Sequence, residues 1–316
     1  MNKEPTKFNK TRLAPTPSGY LHLGNIISFL ITVSLAKKHG AKILLRIDDL
    51  DQKRVKQEYI EDIFDTIDFL EIPYDEGPRN LKDFNQNYSQ VHRQALYHAV
   101  IEELKDNNFV FPCDCSRKTL LKRHPKRWCT GTCLQRNLPY KKNHTSLRLV
   151  SQKEVPIFLN RYPKGQTKYH LPGEMEFFML QKKDGFASYQ LASLTDDLSY
   201  GVDLIVRGMD LLPSSIAQVY LSDRLKDKSY SNCSFYHHQL IKEGGKKLSK
   251  SNGSYSIQQM RNAGMKKEAI YQLAAKNLGM EEPISNIEEF SSHFLLHFNQ
   301  SSKSGIINHS PPFKED

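Results

Sequence analysis

Arg12-Leu13-Ala14-Pro15-Thr16-Pro17-Ser18-Gly19-Tyr20-Leu21-His22-Leu23-Gly24-Asn25 decides how the rest of this 316-residue chain is read. Residues 8–13 suit a β-strand. Pro15, Pro17 and Gly19 then interrupt any regular structure. From His22 the chain turns helical, with Ile26, Leu30 and Val33 spaced to face a sheet. This strand–turn–helix layout puts His22, Gly24 and Asn25 in the first helical turn. Backbone N–H groups there lack intrahelical partners and the helix dipole is positive, so a phosphate binds well. His-x-Gly is common by chance, however, and those three residues alone read more simply as a surface histidine beside a loop.

The chain just beyond supports a sheet. Lys42 to Ile47 is a largely apolar run suited to a buried parallel strand, and it ends in Asp48-Asp49-Leu50-Asp51. A helix follows over residues 56–70, with Ile60, Ile63, Phe64, Ile67 and Leu70 on one face. Strand–helix–strand units of this length predict an α/β fold with a Rossmann-like parallel sheet, which binds ligands at the carboxyl ends of its strands. The first two strand ends carry Arg12 and Asp48. A cation and an acid facing one crevice suit an amino-acid zwitterion. An acidic helix cap is the alternative for residues 48–51 and reads equally well for Asp49 and Asp51.

Bulk properties narrow the class. With 38% hydrophobic residues the chain can bury a core, and its net charge of +10 suits a polyanionic partner without choosing one. The longest apolar run, residues 26–35, is too short to span a bilayer. The first ten residues are polar, which predicts a cytoplasmic protein with no membrane partner. Four of the five cysteines fall in Cys113-x-Cys115 and Cys129-x-x-x-Cys133. Two close pairs separated by a loop have the spacing of a structural tetrahedral zinc site, four reduced thiols being the alternative. Between them lie Arg117, Lys118, Lys122, Arg123, Lys126, Arg127 and Trp128. These read as a phosphate-backbone contact surface or a solvated basic loop.

Farther on, residues 147–150, 177–180 and 186–192 read as strands, and Thr195 to Gly201 as a turn. Leu204 to Val206 is an apolar strand ending in Arg207-Gly208, with Asp210 just after; the arginine would place a fork of donors at a site mouth. Residues 214–225 and 257–277 read as helices, and 301–316 as a poorly ordered tail.

A second stretch, Lys247-Leu248-Ser249-Lys250-Ser251, follows Gly244-Gly245. Alone it is a basic loop. Paired with the opening stretch, it resembles the HIGH and KMSKS signatures of class I aminoacyl-tRNA synthetases. Arg12-Leu-Ala-Pro-Thr-Pro-Ser-Gly narrows the resemblance to the glutamyl and glutaminyl branch. Leu45-Arg-Ile-Asp-Asp-Leu-Asp51, the cysteine cluster, Tyr189-Gln-Leu-Ala192 and Ile205-Val-Arg-Gly208 extend it.

The resemblance implies activation of L-glutamate with Mg²⁺-ATP and transfer to tRNA. It assigns ATP to His22, Gly24, Asn25, Asp210, Lys247 and Lys250, with His22 and Lys250 catalytic. It assigns glutamate to Arg12, Ala14, Thr16, Asp48, Tyr189 and Arg207, and zinc to Cys113, Cys115, Cys129 and Cys133. It divides the chain into a first core half (1–110), an inserted zinc-knuckle, tRNA-contacting subdomain (111–190), a second core half with the lysine loop (191–252) and a short helical region with its tail (253–316). Asp48 departs from the glutamate usual in glutamyl enzymes, Thr16 from serine, and Cys129 from a frequent tyrosine.

Only 65 residues follow Ser251, too few for a helical anticodon-binding domain. A monomeric catalytic half of this kind is similar to enzymes that attach glutamate to the queuosine base of tRNA(Asp). A shortened enzyme charging the terminal adenosine of tRNA(Glu) and a catalytically silent tRNA-binding paralogue are the alternatives.

Overall fold

β1 (Lys10–Leu13) and β2 (Lys42–Leu45) pair in parallel, with Arg12 opposite Leu44. They open the fold in a computed structural model that describes residues 7–123, 128–239, 242–243, 246–247 and 255–304. Helix α1 (Leu23–His39) crosses over between them, and α2 (Gln57–Phe69) and the single turn α3 (Leu81–Asp83) follow. Next come α4 (Gln94–Asp106), β3 (Val110–Cys113) and α5 (Arg117–Arg123). Strands β4 (Ser146–Leu149), β5 (Ile157–Arg161), β6 (Gly165–Tyr169) and β7 (Met179–Gln181) lead to α6 (Tyr189–Ser199). Then β8 (Leu204–Gly208), α7 (Leu212–Ser222) and β9 (Ser234–His238) complete the core. The two-residue strands β10 (Lys242–Glu243) and β11 (Lys246–Lys247) precede α8 (Ile257–Asn262), α9 (Lys267–Asn277) and α10 (Ile287–Ser304).

β8 pairs in parallel with β9, and β9 in parallel with β5. β8 also lies beside β1, where Asp203 N–H donates to Lys10 O at 3.0 Å. The predicted parallel sheet is therefore present, with β2, β1, β8 and β9 side by side. β3, β4 and β7 form a separate antiparallel sheet.

Alternation along the strands divides the interior into two layers. Leu13, Leu45 and Val206 join a cluster with α1, α2, α9 and α10. Leu44 and Ile205 face the other way, among α4, α6 and α7. Ile26, Leu30 and Val33 of α1 are buried as expected, but so is most of the helix. The cover on its other side is α10, which lies within the helical region expected over 253–316 but was not delimited there. Phe290, Phe294 and Phe298 run down one side of it, with successive rings 6.2 and 5.9 Å apart.

Four expectations are corrected. Residues 186–192 are not a strand, and Thr195 to Gly201 is not a turn. Tyr189–Ser199 is one helix, and residues 191–197 are buried without interruption, which no alternation of the strand kind would give. Residues 257–277 are two helices, not one. Gly264 takes a left-handed φ of +78° between them, where other residues would be strained. The strand near 177–180 begins only at Met179.

Candidate active site

The end of β1, the turn after it and the start of α1 line a cleft of about 410 Å³. Ala14, Thr16, His22 and Asn25 border it together with Tyr189 and Leu211. His22 is the residue before α1, and its amide donates to Asn25 Oδ1 at 3.1 Å, which pins the turn. Gly24 is in the first helical turn. Tyr189, the first residue of α6, is 41% exposed, so its ring is open to a ligand. Asp210 is exposed in the turn Met209–Leu211, adjacent to the lining residue Leu211.

Lys250 lies outside the described residues, and of Lys247 only the backbone in β11 is described. Both flanks of their segment are tied to the start of α1. His238, at the end of β9, donates from Nδ1 to Gln239 O at 2.9 Å, so its Nε2 accepts from the Ser28 hydroxyl at 2.6 Å. On the far side Ser256 bridges His22, and Ile257 N–H donates to Leu21 O at 2.8 Å. Arg261 reinforces this flank by an ion pair of 2.6 Å with Asp62, which is 2% exposed.

A buried ionic cluster lies between the sheet and α6, its Arg12 two residues before Ala14 and its Asp197 about two helical turns along α6 from Tyr189. Arg12 donates from Nε to Asp197 Oδ1 at 3.1 Å and from Nη1 to Val206 O at 3.2 Å. Arg46 grips Asp48 with two donors at 2.7 and 3.1 Å and reaches Asp197 Oδ1 at 2.6 Å. Arg207 Nη2 lies 3.7 Å from Asp197 Oδ2. Arg12 and Asp48 therefore belong to one buried cluster, linked through Arg46 and Asp197, and neither borders the cleft. Arg207, expected at a mouth, is buried at 4% exposure.

Three guanidiniums thus meet two carboxylates, since the neighbouring Asp196 is taken by Arg93 Nε at 2.7 Å and by Tyr97 OH. Burial pushes the Asp197 carboxyl up, but Arg46, Arg12 and Arg207 together hold it below its ordinary value. Arg12 is held below the ordinary arginine value by burial, which with like-charged Arg207 and Arg46 outweighs Asp197. The excess of one buried positive charge suits an anionic ligand. Asp49, left open between ligand and cap, does not cap the helix that follows it: it accepts from Gln90 N–H at 2.7 Å and from the Ser89 hydroxyl at 2.5 Å, tying the chain to the turn at 89–90. Asp51 is exposed.

Three of the four cysteines expected at one site gather closely. The sulfurs of Cys113, Cys115 and Cys133 lie within 4.8 Å of one another, those of Cys115 and Cys133 at 3.6 Å. Four sulfurs about 2.3 Å from a tetrahedral zinc would be about 3.8 Å apart, so this set fits the ion. Cys129 is buried beside Cys113 and hydrogen-bonds to it, though its sulfur is outside the close triad. That bond, with lesser help from Arg148, lowers the Cys113 thiol to about 4. Burial and the Cys133 hydrogen bond push Cys115 up to about 12. Arg136 donates to Cys133 Sγ at 3.6 Å, as a cation beside a thiolate centre would. Arg117, Lys118 and Lys122 are exposed on a helix rather than a loop, and Lys126 and Arg127 lie outside the described residues. Trp128 is a packing residue: a Cβ on Gly173 would sit 2.5 Å from its ring.

Sequence reading did not single out Arg46, Ser193, Asp197 or Gln218. A charged residue inside the apolar run 42–47 and two acids between buried helical positions were the available signals.

The chain matches the family model described as tRNA synthetases class I (E and Q), catalytic domain, over residues 9–305. It is 28% identical to glutamate–tRNA ligase 2 of Syntrophus aciditrophicus, over 94% of this chain and 63% of that protein. It is 33% identical to glutamyl-Q tRNA(Asp) synthetase of Nitratidesulfovibrio vulgaris, over 85% of this chain and 86% of that protein. A glutamate tRNA ligase from Elizabethkingia meningosepticum shares the fold with a TM-score of 0.71 at 22% identity, over 90% of this chain and 64% of that one. The chain thus spans less than two thirds of the glutamate–tRNA ligases it matches. With its parallel sheet, its His22 turn at the head of α1 and its buried arginine cluster, it belongs to the catalytic-domain family of the class I glutamyl- and glutaminyl-tRNA synthetases.

Proposed function

We propose that this chain activates L-glutamate with ATP and passes the glutamyl group to tRNA, with the queuosine base of tRNA(Asp) as acceptor. The observation that carries the first part is the cleft at the head of α1 with a net-positive arginine cluster beside it. Attack of the α-carboxylate on the α-phosphate of ATP moves negative charge onto phosphate oxygens, so catalysis is mainly positioning and charge stabilisation. His22 and the first-turn amides hold the phosphates of Mg²⁺-ATP, with Lys250 supplying charge to the departing pyrophosphate. Arg12 and Arg207 take the glutamate side chain, with Tyr189 and Thr16 at its edge. Asp48 gives the ammonium group its counter-charge, although Arg46 already holds both its oxygens. The excess positive charge favours glutamate over glutamine despite aspartate at position 48. Residues 1–110 and 191–252 are then two halves of one catalytic core, with 111–190 inserted between them.

The queuosine acceptor rests on the 33% identical relative from Nitratidesulfovibrio vulgaris, 86% of which aligns with this chain. The relatives that are glutamate–tRNA ligases support the second reading, charging of the terminal adenosine of tRNA(Glu). ATP–pyrophosphate exchange with glutamate, with and without tRNA and with glutamine as control, tests activation. Exchange without tRNA is expected, and none with either amino acid overturns the proposal. Ribonuclease digestion of tRNA charged with labelled glutamate then separates the acceptors, because label on the anticodon fragment marks the queuosine base and label on the terminal adenosine marks the ribose.

The cysteine cluster would hold a structural zinc, since four thiolates leave no open position. Chelation is expected to expose residues 111–134 to limited proteolysis and to slow transfer to tRNA more than pyrophosphate exchange. Equal losses in both steps would mean that the cluster supports the whole core.

A further inference from the structure

Arg207 is buried, yet its short contacts are to neutral groups. Nη1 donates to Gln218 Oε1 at 2.6 Å and to Ser215 Oγ at 3.1 Å, and Nη2 donates to Ser193 Oγ at 3.3 Å. Asp197 is 3.7 Å away, and its other oxygen already serves Arg12 and Arg46. Arg207 Nε has no acceptor among the described residues. A buried charge is ordinarily matched by an opposite charge nearby. Here the tightest partner is an amide oxygen.

Gln218 is held for that purpose. It comes from α7, is fully buried, and its Oε1 also accepts from Tyr230 OH at 2.9 Å. Two converging donors fix which end of the amide faces Arg207. His237 adds no second charge: it meets Ser215 Oγ at 2.9 Å, and burial together with Arg207 keeps its pKa well below the ordinary value.

We propose that Gln218 is a specificity-determining positioning residue. Its neutral oxygen aims the Arg207 fork without adding a second carboxylate to the one Arg207 already faces, Asp197 at 3.7 Å, so the cluster keeps its excess positive charge and selects the side-chain carboxylate of an acidic amino acid. The proposal rests on the reading that the amino acid binds at this cluster. A glutamate at 218 has nearly the same shape but would pair with Arg207 and close the fork to an incoming carboxylate.

The test is Gln218→Glu, measured by ATP–pyrophosphate exchange in the full chain with tRNA present, with glutamate and glutamine as alternative substrates. KM for glutamate is expected to rise at least about tenfold with kcat changed less than about threefold, and the preference for glutamate over glutamine to fall at least about tenfold. Gln218→Met keeps the volume without the charge. It should raise KM for glutamate without moving the ratio toward glutamine, which separates the charge effect from packing. Unchanged KM and unchanged preference in Gln218→Glu overturn the proposal while the unaltered chain still activates glutamate. Failure of the unaltered chain with glutamate removes the reading beneath it and the proposal with it. If Gln218→Glu does not fold, an unchanged KM in Gln218→Met overturns the proposal and a raised one supports it.

Discussion

Asp197→Ala is expected to cost about 3–5 kcal/mol of folding stability, the range for removing one partner from a buried ion pair. Asp197 is fully buried, and Arg46 and Arg12 contact one of its oxygens at 2.6 and 3.1 Å. Without it, three guanidiniums in one dry space keep only Asp48 as a counter-charge. Asp197→Asn keeps the shape and should cost less. Urea denaturation of both variants, with the midpoint compared at a common slope, measures the effect. The pH dependence has a definite sign. Asp197 titrates below its ordinary value in the fold, so its contribution is present above the unfolded carboxyl pKa and is lost as pH falls through the folded one. Asp48, which burial raises despite Arg46, contributes with the opposite sign. Asp197→Ala should therefore lose least relative to the parent chain at acid pH. A loss under about 1 kcal/mol at neutral pH would mean that water reaches the cluster and screens its charges.

The same cluster explains what could and could not be read from the residues. The parallel sheet was legible because apolar runs, their spacing and the proline- and glycine-rich turn are local signals. The His22 turn was legible for the same reason, and Ala14, Thr16, Asn25 and Tyr189 do meet around one cleft. Asp197 was not, because its meaning depends on Arg12, Arg46 and Arg207 converging from three different strands or strand ends. A pair of acids between apolar residues reads as a turn until burial shows them to be the counter-charges of a site. Helix α10 was not delimited because its apolar positions are sparse at the start: Glu288 and Glu289 precede Phe290, and Ser291, Ser292 and His293 separate it from Phe294. Residues 186–192 were misread because Ser188 and Gln190 alternate with Ala187, Tyr189 and Leu191 over too few positions to separate a strand from the start of a helix.

His22→Ala is expected to slow pyrophosphate exchange about 100- to 1,000-fold, the loss typical of removing one donor aimed at a developing oxyanion. The imidazole helps cap the first turn of α1, but the backbone around His22 is also held by bonds that do not involve it. Asn25 Oδ1 takes the His22 amide, and Ile257 N–H reaches Leu21 O. The variant should therefore fold normally and bind ATP with a modest change in KM, so the loss falls on kcat. Asn25→Ala acts differently. It releases the amide that the turn is built on, so the phosphate site loosens and KM for ATP should rise along with the fall in kcat. Lys250→Ala is expected to resemble His22→Ala, because both would act on charge that develops as pyrophosphate departs. The double variant decides whether they act together: a loss equal to either single variant means that both groups serve one stabilising unit. A loss equal to the product of the two means independent roles, with His22 acting through the turn that bridges to Ser256 rather than on the phosphates themselves.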